Sequence, residues 1–190
     1  TAALTATITQ TNNIDCFGDA DGQLTGTITG GTANYNYDWG TTLNGTDVAN
    51  PAATASLTNV QGSLGPDEYF LTVTDANNCE ATDNITITQP TALTATSSNV
   101  STLLDCYDDS DGTFTIAGDD GTPGYTYSNS TGATYDANGD AGAFVGSGVF
   151  TGLTAGTYTV RVKDANNCTE DISVTIQQPA ELTATSAGGA

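Results

Sequence analysis

Hydrophobic and polar residues alternate along most of the chain, in short runs separated by glycine, asparagine and aspartate. In residues 1–90 the predicted inward positions are Leu4, Ala6, Ile8, Leu24, Ile28, Tyr35, Tyr37, Trp39, Tyr69, Leu71, Val73, Ile85 and Ile87. In residues 91–179 they are Phe114, Ile116, Tyr125, Tyr127, Tyr158, Val160, Val162, Ile172, Val174 and Ile176. A period of two residues, with turn signals roughly every 8–12 residues, predicts antiparallel strands packed as β-sandwiches. Residues 40–65 are turn-rich and are predicted to hold two short strands, one near residues 53–57.

The pattern occurs twice. Asp-Ala-Asn-Asn-Cys stands at residues 75–79 and again, 89 residues later, at residues 164–168. Leu-Thr-Ala-Thr stands at residues 4–7, 93–96 and 182–185, at the same interval. A fixed long period indicates one folding unit per repeat. We therefore predict domains at residues 1–90 and 91–179, with the start of a third repeat at 180–190, and a short Gln-Pro linker that favours an end-to-end array.

Charge and composition exclude several functions. The chain has 22 acidic and two basic residues, a net charge of −20, and no histidine. Such a chain cannot neutralise phosphates, so nucleic acid is excluded as a partner. Without histidine no Ser-His-Asp triad can form, and we expect no catalytic residue and no enzyme activity. No apolar run approaches about 20 residues, so we expect no membrane insertion.

A further set of residues resembles the SprB repeat family. In the first repeat these residues are Cys16, Gly31, Tyr35, Tyr37, Tyr69, Asp75, Cys79 and Pro90. In the second they are Cys106, Gly121, Tyr125, Tyr127, Gly156, Tyr158, Asp164, Cys168 and Pro179. The resemblance implies Ig-like domains of very large Bacteroidota surface proteins, among them gliding adhesins exported by type 9 secretion. We accordingly expect an all-β fold of tandem Ig-like antiparallel β-sandwich domains, each with seven strands and almost no helix.

Two functions fit this pattern. The first is a structural segment that forms the shaft of a cell-surface adhesin or extracellular filament, with neighbouring repeats as its partners. The alternative is a binding module that recognises a glycan or a protein through its loop tips. Tyr35, Tyr37 and Trp39 could stack on a ligand, but their alternation makes them core residues first. The two nearly identical hairpin tips favour the shaft, because a binding site is usually distinctive.

Three kinds of site residue remain. Tyr69 and Tyr158 stand where an Ig-like sandwich often carries a tyrosine corner, the alternative being ordinary core tyrosines. Asp-x-Asp-Gly turns bring hard oxygen ligands close together, so calcium is the cofactor considered, against the alternative of a solvated turn. The calcium candidates are Asp19, Asp21, Asp109, Asp111 and Asp164. Of these two readings the pattern favours the solvated turn.

The four cysteines, Cys16, Cys79, Cys106 and Cys168, indicate an oxidising, extracellular setting. The simplest pairing joins the two cysteines inside each repeat. In an Ig-like strand order, however, these two lie at opposite ends of a strand of about 17–20 Å, and a disulfide requires Cα atoms within about 7 Å. End-to-end stacking would instead pair Cys16 with Cys168, next to Asp19, Asp21 and Asp164. Cys79 and Cys106 would then pair with neighbouring repeats or stay free. Both pairings stay open here, with a slight preference for the second.

Overall fold

The computed structural model describes residues 2–41, 58–131 and 144–185. The chain forms two compact units, Thr1–Pro90 and Thr91–Ala190. The strands of the first unit are β1 (Thr5–Asn12), β2 (Gly22–Thr29), β3 (Asn36–Gly40), β4 (Thr58–Leu64), β5 (Asp67–Thr74) and β6 (Glu80–Ile87). Those of the second are β7 (Thr94–Ser98), β8 (Gly112–Asp119), β9 (Thr126–Thr131), β10 (Val149–Leu153), β11 (Gly156–Lys163) and β12 (Thr169–Ile176). Within the described ranges there is no helix.

Each unit consists of two three-stranded antiparallel sheets. The sheet orders are β1-β2-β4 and β3-β5-β6 in the first unit, and β7-β8-β10 and β9-β11-β12 in the second. The long hairpin β5–β6 pairs without interruption from Asp67↔Ile87 to Thr74↔Glu80. This is the A-B-E and C-F-G division of an Ig-like sandwich. The fold is therefore all-β with tandem Ig-like domains, as the sequence predicts.

The prediction for residues 40–65 is tested only in part. The strand expected near residues 53–57 lies outside the described residues, and β4, at Thr58–Leu64, lies within the predicted range. Leu64 is the buried last residue of β4 and was not among the predicted inward positions. Six strands of each unit are described, so the seventh stays a prediction.

The predicted inward positions form the cores. In the first unit Leu24, Tyr37, Trp39, Leu71 and Val73 are fully shielded from solvent, because alternate residues of a strand face the opposite sheet. The second unit has its own core around Phe114, Ile116, Val160 and Val162. Ala6, Ile85, Tyr125 and Ile172 are half-buried at the margins.

The long loops that follow β1 and β7 each hold a buried hydrophobic residue, which a period of two cannot reveal. Ile14 lies between β1 and β2, and Leu104 occupies the equivalent place between β7 and β8. Each contributes to the core of its unit from the loop that carries Cys16 or Cys106. Each loop is therefore anchored to the core of its unit by a hydrophobic residue.

The two cores are filled by different side chains at equivalent positions. A Cβ atom on Gly26 would lie 2.6 Å from Leu71 Cδ2 and 2.9 Å from Trp39 Cζ2. The Leu71 side chain and the indole ring together therefore require glycine at this position of β2. In the second unit the residue equivalent to Gly26 is Ile116, and the residue equivalent to Trp39 is Asn129. A large side chain on β8 thus accompanies the loss of the tryptophan.

Aromatic rings complete the second core. Phe114 stands where the first unit has Leu24. Its ring centroid lies 5.0 Å from that of Phe150 and 5.8 Å from that of Tyr158, in tilted arrangements. Tilted aromatic pairs at these separations are favourable because ring edges and faces carry opposite partial charge. The aromatic volume has therefore moved from β3 in the first unit to β8 in the second.

Tyr69 and Tyr158 fix the start of the longest hairpin in each unit. Tyr69 donates its hydroxyl to the Gly65 carbonyl at 3.1 Å, and Tyr158 donates to the Thr154 carbonyl at 2.9 Å. Both rings are buried. A buried tyrosine that bonds the backbone a few residues upstream is the geometry of a tyrosine corner.

We predict that Gly26→Ala lowers the free energy of unfolding of the first unit by about 1–3 kcal/mol through overpacking. The loss should be smaller in a Trp39→Ala background, because the rigid ring that the new methyl meets is gone. Urea unfolding followed by circular dichroism measures both. The control is Gly62→Ala on β4, where the nearest atom to an added Cβ is 3.6 Å away. Equal losses at positions 26 and 62 would contradict the packing argument.

We predict that Tyr69→Phe costs about 1 kcal/mol, because the Gly65 carbonyl loses its partner while the ring stays packed. The matched control is Tyr107→Phe, since Tyr107 is an exposed tyrosine. Urea midpoints of the two variants provide the measurement. A Tyr69→Phe midpoint equal to that of the wild type would show that the corner does not stabilise this hairpin.

Candidate functional site

The hairpin end of the first unit comprises residues 75–79 and the β2–β3 turn at residues 30–32. It is organised by the carboxylate of Asp75, which is buried. One oxygen, Oδ1, accepts the backbone N–H groups of Asn77 and Cys79 at 2.8 and 2.9 Å. The other, Oδ2, accepts that of Thr32 at 2.9 Å. The carboxylate therefore closes its own turn and ties it to the neighbouring one.

The second unit repeats this arrangement. Asp164 Oδ1 accepts the N–H groups of Asn166 and Cys168, each at 2.9 Å. Its Oδ2 accepts the N–H of Thr122 at 2.9 Å. Asn167 has a φ of 67°, a left-handed conformation that asparagine tolerates. The repeated Asp-Ala-Asn-Asn-Cys run is thus a turn whose geometry is set by its buried first residue.

A glycine beside each carboxylate is required for this contact. Gly31 has a φ of 66°, and a Cβ atom there would lie 3.2 Å from Asp75 Oδ2 and 2.8 Å from Leu4 Cδ1. At Gly121 the same atom would lie 2.8 Å from Asp164 Oδ2. Glycine alone combines the left-handed backbone with room for the carboxylate. The Gly-Thr dipeptide of the repeat therefore belongs to the hairpin end.

The hydrogen bonds of Asp75 favour its charged form. The backbone N–H of Cys79 makes the largest contribution, and those of Thr32 and Asn77 add to it. Together they hold the pKa of the Asp75 carboxyl below its usual value, although burial acts in the opposite direction. This carboxylate is consequently a structural anion of the turn.

The loop end of the first unit comprises residues 14–21, which carry Cys16. The Asp19 N–H donates to the Cys16 carbonyl at 3.2 Å, and Gly18 has a φ of 86°. The Gly18 N–H donates to Gln89 Oε1 at 2.7 Å. The glutamine of the Gln-Pro run thus holds the cysteine loop against the end of β6.

The loop end of the second unit, residues 104–111, is held in the same way. The Asp109 N–H donates to the Cys106 carbonyl at 3.4 Å. The Asp108 N–H donates to Gln178 Oε1 at 3.0 Å. Sequence reasoning used the Gln-Pro run as a repeat boundary and missed this contact. The signal was present, since the glutamine occurs before the proline in both copies.

Loop end and hairpin end lie at opposite ends of each unit. Cys79 stands at the start of β6, whereas the loop end contacts Gln89, just beyond its end. An eight-residue strand spans about 26 Å, far more than the roughly 7 Å between Cα atoms that a disulfide permits. A bond between Cys16 and Cys79, or between Cys106 and Cys168, is therefore incompatible with the fold.

The bonding states of the cysteines agree with this geometry. Cys79 and Cys106 are free thiols exposed to solvent. Cys16 and Cys168 are disulfide-bonded. The simplest prediction from the sequence, a bond inside each repeat, is therefore wrong. The predicted Cys16–Cys168 pairing stays a prediction.

The calcium candidates are spread over both ends. Asp19 and Asp21 belong to the first loop end, and Asp109 and Asp111 to the second, whereas Asp164 lies at the hairpin end of its unit. The Asp21 carboxylate lies 3.3 Å from the Asp15 N–H nitrogen. Among the described residues, no three Cys, Asp or Glu side chains form a group that could hold a metal ion. Asp164 serves the turn, and weak calcium binding stays a prediction.

The aromatic residues of β3, and Tyr35 just before it, serve the fold. Tyr35, Tyr37 and Trp39 are buried, so none presents a ring to a ligand. Tyr35 donates its hydroxyl to the Gly30 carbonyl at 2.9 Å, and Tyr125 donates to the Asp120 carbonyl at 2.6 Å. These bonds brace the β2–β3 turn and its equivalent in the second unit. Sequence reasoning assigned the rings to the core but did not anticipate the hydroxyl contacts.

The exposed aromatic residues lie at the loop ends. Phe17 follows Cys16 and is 58% exposed, and Tyr107 follows Cys106 and is 47% exposed. Large aromatic rings are normally buried because water solvates them poorly. Because both rings are exposed at equivalent positions, the loop end is a candidate contact surface.

The SprB repeat family model matches residues 8–43. The chain carries an SprB repeat. The matched stretch includes Cys16, Gly31, Tyr35 and Tyr37. Equivalent residues stand in the second unit at Cys106, Gly121, Tyr125 and Tyr127. SprB repeats occur in surface-exposed proteins. The search of curated proteins found no match to the chain.

Several solved structures resemble the chain in fold. A C-terminal 282-residue fragment of intimin, in complex with the intimin-binding domain of its translocated receptor, is 17% identical, with a TM-score of 0.44. The match covers 93% of this chain and 64% of that fragment. Fibronectin(III)-like modules of CbhA from Clostridium thermocellum are 9% identical, with 90% and 95% coverage and a TM-score of 0.33. Murine CEACAM1b is 12% identical, with 92% and 100% coverage and a TM-score of 0.35.

The described residues contain no helix that is long and apolar enough to cross a membrane.

We predict that Asp75→Asn weakens the first unit at pH 7, and that the difference from the wild type shrinks as the pH falls. The folded pKa is lowered, so the stabilisation is fully present above the unfolded pKa of about 3.9 and is lost as pH falls through the folded value. Urea midpoints at pH 7 and at about pH 2–3 provide the measurement. The control is Asp19→Asn, an exposed carboxylate in the same unit. A difference that is constant with pH would contradict this role for Asp75.

Proposed function

We propose that the chain is a structural segment in the shaft of a bacterial cell-surface adhesin or extracellular filament, whose partners are neighbouring repeats. The observation that supports this most is the duplication of both ends. The same carboxylate, glycine and glutamine contacts build the hairpin end and the loop end in each unit. Selection for one binding site would not require both units to keep both ends.

The proposed shaft is an end-to-end array of stiff units. Every described strand lies in an antiparallel sheet, and the turn at the hairpin end is held by a buried carboxylate. The net charge of −20 keeps such a fibre soluble and repels anionic surfaces. The resemblance adds a Bacteroidota source, type 9 secretion and a link to gliding motility as parts of this proposal.

A binding module is the second candidate, and the exposed aromatic residues favour it. Phe17 and Tyr107 could stack on a sugar ring from the loop ends. The buried rings of Tyr35, Tyr37 and Trp39 could not do so. We rank this function second because exposed rings at equivalent positions of both units are also suited to repeated contacts between domains, so they do not by themselves indicate a ligand.

We predict that deletion of residues 91–179 from the full-length surface protein shortens the fibre by about 3–4 nm, the length of one sandwich with its loops. Binding of cells to their target should be retained, because a shaft holds the tip without contacting the ligand. Electron microscopy of the fibre and an adhesion assay provide the measurements.

The control is a full-length protein with Phe17→Ser and Tyr107→Ser. A shaft predicts normal fibre length and normal adhesion for this variant. Normal length with lost adhesion, together with glycan binding by the isolated wild-type chain, would replace the shaft by the binding module.

A further inference from the structure

Two kinds of cysteine occur in the chain. A loop cysteine, Cys16 or Cys106, lies at the loop end of its unit, and a hairpin cysteine, Cys79 or Cys168, lies at the hairpin end. One cysteine of each kind is disulfide-bonded, and one of each kind is a free, exposed thiol. The loop cysteine is therefore bonded in the first repeat and a free thiol in the second, and the hairpin cysteine is free in the first repeat and bonded in the second.

The fold prevents a loop cysteine from using the hairpin cysteine of its own unit, because the full length of β6 separates them. Cys106 and Cys79 consequently need partners from outside their own units. The bonded state of their equivalents, Cys16 and Cys168, shows that both positions are compatible with a disulfide.

Both free thiols are presented by ordered backbone. At Cys79 the backbone N–H donates to Asp75 Oδ1 at 2.9 Å, and the Cys79 carbonyl accepts the Asp75 N–H at 2.9 Å. At Cys106 the turn is closed by Asp109 and held by Gln178. Little conformational freedom is lost when such a group forms a bond, which favours pairing with a defined partner.

The loop end also offers a surface for docking. Tyr107, next to Cys106, exposes its ring, as Phe17 does beside Cys16. An aromatic ring beside a thiol is suited to contact a second protein surface, because aromatic side chains bury large areas at interfaces. The exposed ring of Tyr107 and the thiol of Cys106 therefore lie on the same loop end.

We propose that Cys106 of one molecule forms a disulfide with Cys79 of a second copy, joining loop end to hairpin end. This proposal rests on the proposed shaft function and extends it by naming the covalent joint. A contact between two different surfaces is heterologous, so it propagates into a linear polymer unless a ring closes.

The bond forms by thiol–disulfide exchange with a small disulfide such as glutathione disulfide. The thiolate of Cys106 attacks one sulfur of the oxidant, and glutathione leaves as its thiolate. The thiolate of Cys79 from the second molecule then attacks the Cys106 sulfur of this mixed disulfide and releases the second glutathione. Two protein thiols are oxidised and one glutathione disulfide is reduced to two thiols, so electrons and protons balance.

The experiment uses the whole chain, purified without a reducing agent and then incubated in a buffer of reduced and oxidised glutathione. About 0.5 M salt limits repulsion between the acidic molecules, since the Debye length is then only about 4 Å. Alkylation with N-ethylmaleimide stops the exchange. Non-reducing electrophoresis and light scattering report size, and peptide mapping reports which sulfurs are joined.

The wild type should form a ladder of oligomers that dithiothreitol abolishes. Cys79→Ser and Cys106→Ser should each remain monomeric when incubated alone. An equal mixture of the two should stop at dimers, in a yield on the order of tenfold above either variant alone, because each contributes one matching thiol. The double variant Cys79→Ser/Cys106→Ser controls for exchange at the other cysteines.

Homodimers of either single variant in the yield of the mixture would overturn the proposal, because they would show unselective oxidation. A wild type that stays monomeric in this buffer would overturn it as well. Neither result would affect the shaft function, which is tested separately by the length of the full-length fibre.

Discussion

The buried carboxylate at the hairpin end is the interaction on which each unit depends. Asp75 and Asp164 each accept three backbone N–H groups, two from their own turn and one from the adjacent turn. A buried charge is costly unless hydrogen bonds compensate it. Three donors in fixed positions provide that compensation and set the register of the long hairpin. Gly31 and Gly121 are glycines because the carboxylate lies against them.

The hairpin contact has consequences at the other end of the unit. With the register of β5 and β6 fixed, the residues after β6 reach the loop that carries Cys16, and Gln89 can bond that loop. The same connection runs from Asp164 through β12 to Gln178 in the second unit. Each repeat thus presents one cysteine at each end, in positions that the sandwich itself separates. This separation suits a unit that joins to neighbours at both ends.

The two cores show how much variation this framework accepts. The first fills its centre with Trp39 above Gly26, and the second uses Ile116 and Phe114 at the equivalent level. Core volume can be distributed differently among strands provided that no void or overlap results. The turn contacts, in contrast, are alike in both units, because a hydrogen-bond geometry has fewer equivalent solutions than an apolar volume.

The sequence by itself determined the fold class, the repeat and most of the core, because strands with one buried face leave a period of two. It also determined the turn chemistry of Asp-Ala-Asn-Asn-Cys, which depends on neighbouring residues. Only the tertiary structure decided the roles of Gln89, Ile14 and the Tyr35 hydroxyl, whose partners are brought close by folding and leave no local pattern. The cysteines combine both cases. Their spacing along the chain allowed a bond inside each repeat. The folded structure excluded that bond, because the length of β6 or β12 separates the two cysteines of a unit.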